Sequence, residues 1–99
     1  LQGKIKYAFS SKIWKYNGTG GWFFISLPKD ISREIRENSG WQEEGWGRMK
    51  AAAEVKGFTW DTAIWFDKKQ ATYLLPLKAE IRNKAGLQLN DIIAVSVSI

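Results

Sequence analysis

The sequence contains neither cysteine nor histidine. Without cysteine there can be no disulfide, no thiolate nucleophile and no cysteine-ligated zinc, a usage that fits a reducing cytoplasm. Without histidine the chain lacks the usual metal ligand and the usual acid or base near neutral pH, so His-dependent triads and most zinc hydrolases are excluded. Catalysis would fall to carboxylates and lysines. No apolar run approaches the roughly 18 residues that span a bilayer, and no basic-plus-apolar leader opens the chain at Leu1, so the sequence reads as soluble, with no membrane role. Acids are absent from the first part of the chain: Lys4, Lys6, Lys12, Lys15 and Lys29 all precede Asp30, so residues 1–29 hold the whole net charge of +5. That asymmetry permits an anionic partner. It equally suits the wet face of an edge strand, where lysine discourages strand-to-strand association.

What is present is a composition for one globular domain over residues 1–99, with 44% hydrophobic and 14% aromatic residues. A chain of this size buries roughly two-thirds of the surface its unfolded form exposes, enough for a single core. The clearest local signals run from Tyr73 to Asp91. Pro76 suits the first position of a helix, Leu77, Ile81 and Ala85 recur every four residues as an apolar stripe, and Gly86 stops the helix with Leu87 folding back toward Ile81. Asn90-Asp91 turns the chain, and Ile93, Val95, Val97 and Ile99 alternate with smaller or polar residues as a half-buried strand. Leu27-Pro28 repeats the Leu75-Pro76 device and predicts a second helix just past Pro28, with Ile31 and Ile35 as its buried pair and Gly40 as its end.

The remaining elements are strands. Ile5, Tyr7, Phe9 and Ile13 fall on odd positions and Lys4, Lys6, Ser10 and Lys12 on even ones. From Trp14 the aromatic phase moves to even positions, which predicts a bulge or sharp bend. Asn17-Gly18 signals a hairpin whose register stays open because Thr19, Gly20 and Gly21 follow. Trp22-Phe-Phe-Ile25 is apolar on consecutive positions, as in a strand covered on both faces. Lys56-Gly57 separates two alternating runs, and a two-residue loop there sets Val55 opposite Phe58, Ala53 opposite Trp60, Ala51 opposite Thr62 and Met49 opposite Ile64. The other face of that hairpin then pairs Arg48 with Trp65 and Lys50 with Ala63, with Lys50 diagonal to Asp61 in a wetter, weakly ion-paired surface. The expected architecture is mainly β with two short helices in the order ββαβββαβ, a small six-stranded barrel whose openings the helices cap.

Two resemblances follow from these motifs. The stretch Arg82-Asn-Lys-Ala-Gly-Leu-Gln-Leu-Asn-Asp91 after a Leu-Pro resembles the swapped-hairpin half of the AbrB/MazE/MraZ group, with Asn90 where that group usually has glycine. Over nearly its whole length the chain resembles a family of small bacterial domains of unknown function with a double-split β-barrel fold. Gly21-Trp-Phe-Phe-Ile-Ser-Leu-Pro28, Gly45-Trp-Gly-Arg48, Gly57-Phe-Thr-Trp-Asp-Thr62 and Tyr73-Leu-Leu-Pro-Leu-Lys78 carry that resemblance. It implies a fold and no catalytic set. Some members of that family resemble partners of a second, bacteriocin-protection-type domain, which is absent here.

Function is read from side chains that periodicity does not force inside. Trp41 and Trp46 lie in the glycine-rich stretch Gly40–Gly47, and Arg48, Lys50 and Trp65 follow on the wetter hairpin face. Aromatic planes beside cations suit a small anionic or aromatic ligand, or a protein partner. The same rings could instead plug the barrel ends. The alternative is DNA binding through Lys4, Lys6, Lys12 and Lys15, by analogy with AbrB-like proteins. No cofactor or metal is expected. Asp61 and Glu54 read as solvated charges, and no serine sits in a nucleophile elbow, so the expectation is a binding module and not an enzyme.

Overall fold

The computed structural model describes residues 4–99; residues 1–3, counted above within the single domain, lie outside the described part. Six strands, β1 (Lys6–Lys15), β2 (Phe23–Ser26), β3 (Arg48–Val55), β4 (Phe58–Asp67), β5 (Thr72–Pro76) and β6 (Ile92–Ser98), alternate with α1 (Lys29–Ser39) and α2 (Ala79–Ala85) in the expected order. The sheet closes as an antiparallel barrel, β1-β2-β5-β4-β3-β6. Closure is achieved by exchange of partners along single strands. Lys6 to Lys12 of β1 pair with β6, and Ile13 to Lys15 pair with β2. β6 in turn reaches β3 at Ala52 to Glu54.

Alternation decides what lies inside. Tyr7, Ile13, Ile25, Met49, Ile64, Leu75, Val95 and Val97 point inward and are buried, forming one core with residues from both helices. Each such side chain contributes about 1.5–3 kcal/mol by leaving water. The β3–β4 register matches the pattern read from sequence, from Val55 opposite Phe58 to Arg48 opposite Trp65. Lys56 and Gly57 both take positive φ, 50° and 82°, the conformation of a two-residue turn whose twist matches that of the flanking strands. The ion pairs near that wetter face are Lys6 with Glu54 at 3.7 Å and Arg48 with Glu44.

Three local expectations are corrected. No bulge interrupts β1, because Ile13 and Trp14 stay in register with Ile25 and Phe24. Trp14 keeps its parity and faces outward, held by its Nε1 donating to Ser26 Oγ at 2.9 Å. β2 is not covered on both faces: Ile25 is buried, but Phe24 is half-buried and Trp22 is exposed. α1 starts just past Pro28 as expected, but Pro76 does not open α2 at its first position. Pro28 is the residue before α1, and Pro76 ends β5, with Lys78 as the cap of α2. The sheet prevails there, since Leu77 N–H donates to the Phe23 carbonyl at 2.9 Å and keeps the chain extended past Pro76.

The helices cover opposite openings. α1 buries Ser32, Ile35 and Ser39, spaced as one helical face, whereas Ile31 is only half-buried. Ser32 displaces Ile31 from the expected inward position because its Oγ accepts the Tyr73 N–H at 3.0 Å at the start of β5. α2 follows the other end of β5 and buries Ile81 and Ala85, with Leu77 anchoring the approach from the strand side. Gly86 terminates α2 at φ 66°, where a Cβ would be strained, and the Leu87 N–H bonds to the Arg82 carbonyl at 2.9 Å.

Candidate functional site

Because Ile13, Ile25, Ile64, Tyr73 and Leu75 take the inward positions, the alternate positions put Trp14, Phe24, Leu74, Pro76 and Trp65 side by side on the outer face of the sheet. Trp22, just before β2, extends this row. Trp14 and Phe24 have ring centroids 5.2 Å apart, and Trp22 stacks toward Phe24 at 6.3 Å and 16°. With Tyr16 and the Asp67–Lys69 turn they enclose an open groove of about 670 Å³. Trp22 is 53% exposed and Trp65 38%, so the aromatic surface faces water.

A second open groove, of about 700 Å³, shares Trp22, Trp65 and Pro76 with the first. The two form one continuous surface. The second is bordered by Lys4, Arg48, Lys50 and Lys78, with Asp61 as its acid, and the aromatic groove by Lys68, Lys69 and Asp67. Among the groove-lining residues, six cations therefore stand against two carboxylates. Arg48 is held in place on this surface, its guanidinium 6.0 Å from the Trp65 ring and paired with Glu44. A desolvated cation beside an indole contributes more than an exposed one, and this pair lies on the exposed side of that range.

The structure thus brings together Arg48, Lys50 and Trp65, three of the five residues singled out from sequence. Trp41 and Trp46 stand elsewhere, 82% and 93% exposed, on two short 3₁₀ turns, Gly40–Gln42 and Gly45–Gly47. Neither plugs a barrel end. Gln42, between them, lines the basic groove. This loop is fastened at both ends of its Glu43-Glu44 pair. Glu43 Oε2 accepts from the Tyr73 hydroxyl at 2.6 Å and from Arg36 at 3.2 Å, while the Glu44 N–H bonds to the Arg48 carbonyl at 2.6 Å. Arg36 also lies 4.0 Å over the Phe66 ring, which meets Tyr73 edge-on at 5.1 Å. Burial, reinforced by the neighbouring Glu43 carboxylate, pushes the Tyr73 hydroxyl above its ordinary value and keeps it a donor.

The four lysines of the first third do not gather on one patch. Lys6 is tied to Glu54, Lys12 lies six positions further along the outer face of β1, and Lys15 has inward parity at the far end, its Nζ 5.6 Å from the Phe23 ring. Lys4 alone of the four lines a groove. Trp14, Trp22 and Phe24 were not singled out from sequence. Their signal was the shift of aromatics to even positions, which reads as a bulge only while Ile13 and Ile25 are not recognised as the inward cross-strand pair.

The comparison with known families agrees with the barrel. The family model described as Domain of unknown function (DUF1905) matches residues 9–97. The chain belongs to the DUF1905 family. The matched stretch runs from within β1 to within β6, so β2 to β5 and both helices fall wholly inside it and most of β1 and β6 with them. No curated protein matches the chain. Among the described residues no group of His, Cys, Asp or Glu could hold a metal ion, and no helix is long and apolar enough to cross a membrane.

Proposed function

We propose that this DUF1905 domain is a non-catalytic binding module whose outer sheet surface takes a ligand carrying both a flat apolar group and negative charge. The observation that supports this reading is the exposure of Trp22 and Trp65 where an aromatic groove and a lysine- and arginine-bordered groove join. Large rings left exposed on an outer face beside a core already filled by other side chains are unusual for mere packing. The adjoining cations add selectivity for anions over neutral apolar compounds. A non-catalytic role is favoured because Asp61 and Asp67 line different grooves, so neither groove holds two carboxylates to act as an acid and base pair.

The test uses a defined probe, 8-anilinonaphthalene-1-sulfonate, a planar aromatic anion. Titrated into isotope-labelled protein, it should shift the amide and indole resonances of Trp22, Trp65, Lys50 and Leu74 and leave those of Ile93 and Val95 in place. Shifts scattered over the whole surface, or none at millimolar probe, would overturn the proposal.

A further inference from the structure

We infer that the anion received by this surface is single-stranded nucleic acid, a deepening that rests on the binding reading above. Trp14 on β1, Trp22 and Phe24 at β2, and Trp65 on β4 beyond β5 lie on one open surface. An unpaired strand carries a π-face on every unit and a negative charge on every linkage, and proteins that hold it combine aromatic stacking platforms with a cationic track. Here the platform is bordered by Arg48, Lys50 and Lys78 on one side and by Lys68 and Lys69 on the other. A small aromatic anion would engage one of these borders. A polymer with repeated bases and phosphates engages both.

The features that a duplex would use are missing from the same surface. In a duplex the base faces are already stacked, so exposed indoles gain nothing from them, and recognition usually places a helix in the major groove. α1 and α2 are instead seated on the two barrel openings through Ile35 and Ile81. Lys6, Lys12 and Lys15, which a duplex backbone would need in a row, are dispersed along β1. An acidic polypeptide would satisfy the lysines but offer no stacking partner to the rings.

Anisotropy of a fluorescein-labelled oligothymidylate of about fifteen nucleotides tests the inference, beside a duplex of equal length, labelled polyglutamate, and the naphthalene sulfonate as competitor. Stacking on the order of one base per indole predicts that Trp22→Ala and Trp65→Ala each weaken the single strand at least fivefold, roughly the lower bound for one stacked base. Trp65→Phe should retain most of the affinity, and circular dichroism checks that each variant is folded. With about three phosphates engaged, binding should fall roughly twentyfold between about 50 and 200 mM salt. Tighter binding of the duplex or of polyglutamate, or indifference to both tryptophan variants, would overturn the inference while probe binding continued to support the surface. Failure of the oligonucleotide and of the naphthalene sulfonate together would remove both.

Discussion

The Tyr73 hydroxyl donates to Glu43 Oε2 at 2.6 Å, joining the start of β5 to the loop that holds Trp41 and Trp46 out in solvent. Tyr73 is wholly buried, and Arg36 shares the same carboxylate oxygen. Removing the hydroxyl in Tyr73→Phe leaves Glu43 with Arg36, so the expected loss is about 1–2 kcal/mol, measurable by urea unfolding. The pH dependence has a definite sign. The folded-state pKa lies above the unfolded value of about 10, so the contribution of the protonated hydroxyl is complete below that pH and is lost as pH rises beyond it. The wild type should therefore lose stability in alkali faster than Tyr73→Phe, by up to ~1.4 kcal/mol per pH unit. Parallel alkaline slopes would contradict the assignment.

Trp46 adopts φ 66° and ψ 22°, a region that bulky side chains avoid, and its ring is 93% exposed. Little packing is lost if it is removed, and local strain is relieved. Trp46→Gly should accordingly stabilise the domain by about 0.5–1 kcal/mol, raising the melting temperature by a few degrees. A drop of similar size in differential scanning calorimetry would mean that the indole contributes contacts that its exposure does not suggest.

Much of the architecture was legible because it rests on period-two patterns bounded by specific turns. Lys56-Gly57 fixes one hairpin register outright, and Gly86 and Asn90 take the positive φ values that their residue types favour. What was not legible depended on partners distant in sequence. The parity of Trp14 is set by Phe24 across the β1–β2 pair, and the extended path of Leu77 by the Phe23 carbonyl. The same holds for the site. Arg48, Lys50 and Trp65 share a hairpin and were found together, whereas Trp22 joins Trp65 only through barrel closure by β5.

Ser32 illustrates a buried polar group that periodicity alone would assign to solvent. Its Oγ is the acceptor for the Tyr73 N–H in a region from which water is excluded. Ser32→Ala removes the acceptor and leaves a buried amide unpaired, at a cost of about 1–3 kcal/mol. Hydrogen exchange should report it directly, with the Tyr73 amide losing protection by more than its neighbours in β5. Equal loss across the barrel would point to a global effect instead.

Ile25 and Trp22 make the sharpest contrast between core and surface, because they lie three residues apart at β2 and face opposite environments. Ile25 is fully buried opposite Ile13, and Ile25→Ala creates a cavity costing about 2–5 kcal/mol, a large share of the roughly 5–15 kcal/mol that holds a domain together. Trp22 is more than half exposed, so Trp22→Ala should cost less than about 1 kcal/mol. Denaturant midpoints of the two variants, measured beside naphthalene sulfonate binding, separate the roles. Ile25→Ala should lower the midpoint and, where still folded, keep the probe site; Trp22→Ala should keep the midpoint and lose the probe. If Trp22→Ala proved as destabilising as Ile25→Ala, the indole would belong to the packing of β2, and the aromatic groove would be part of what holds the barrel together.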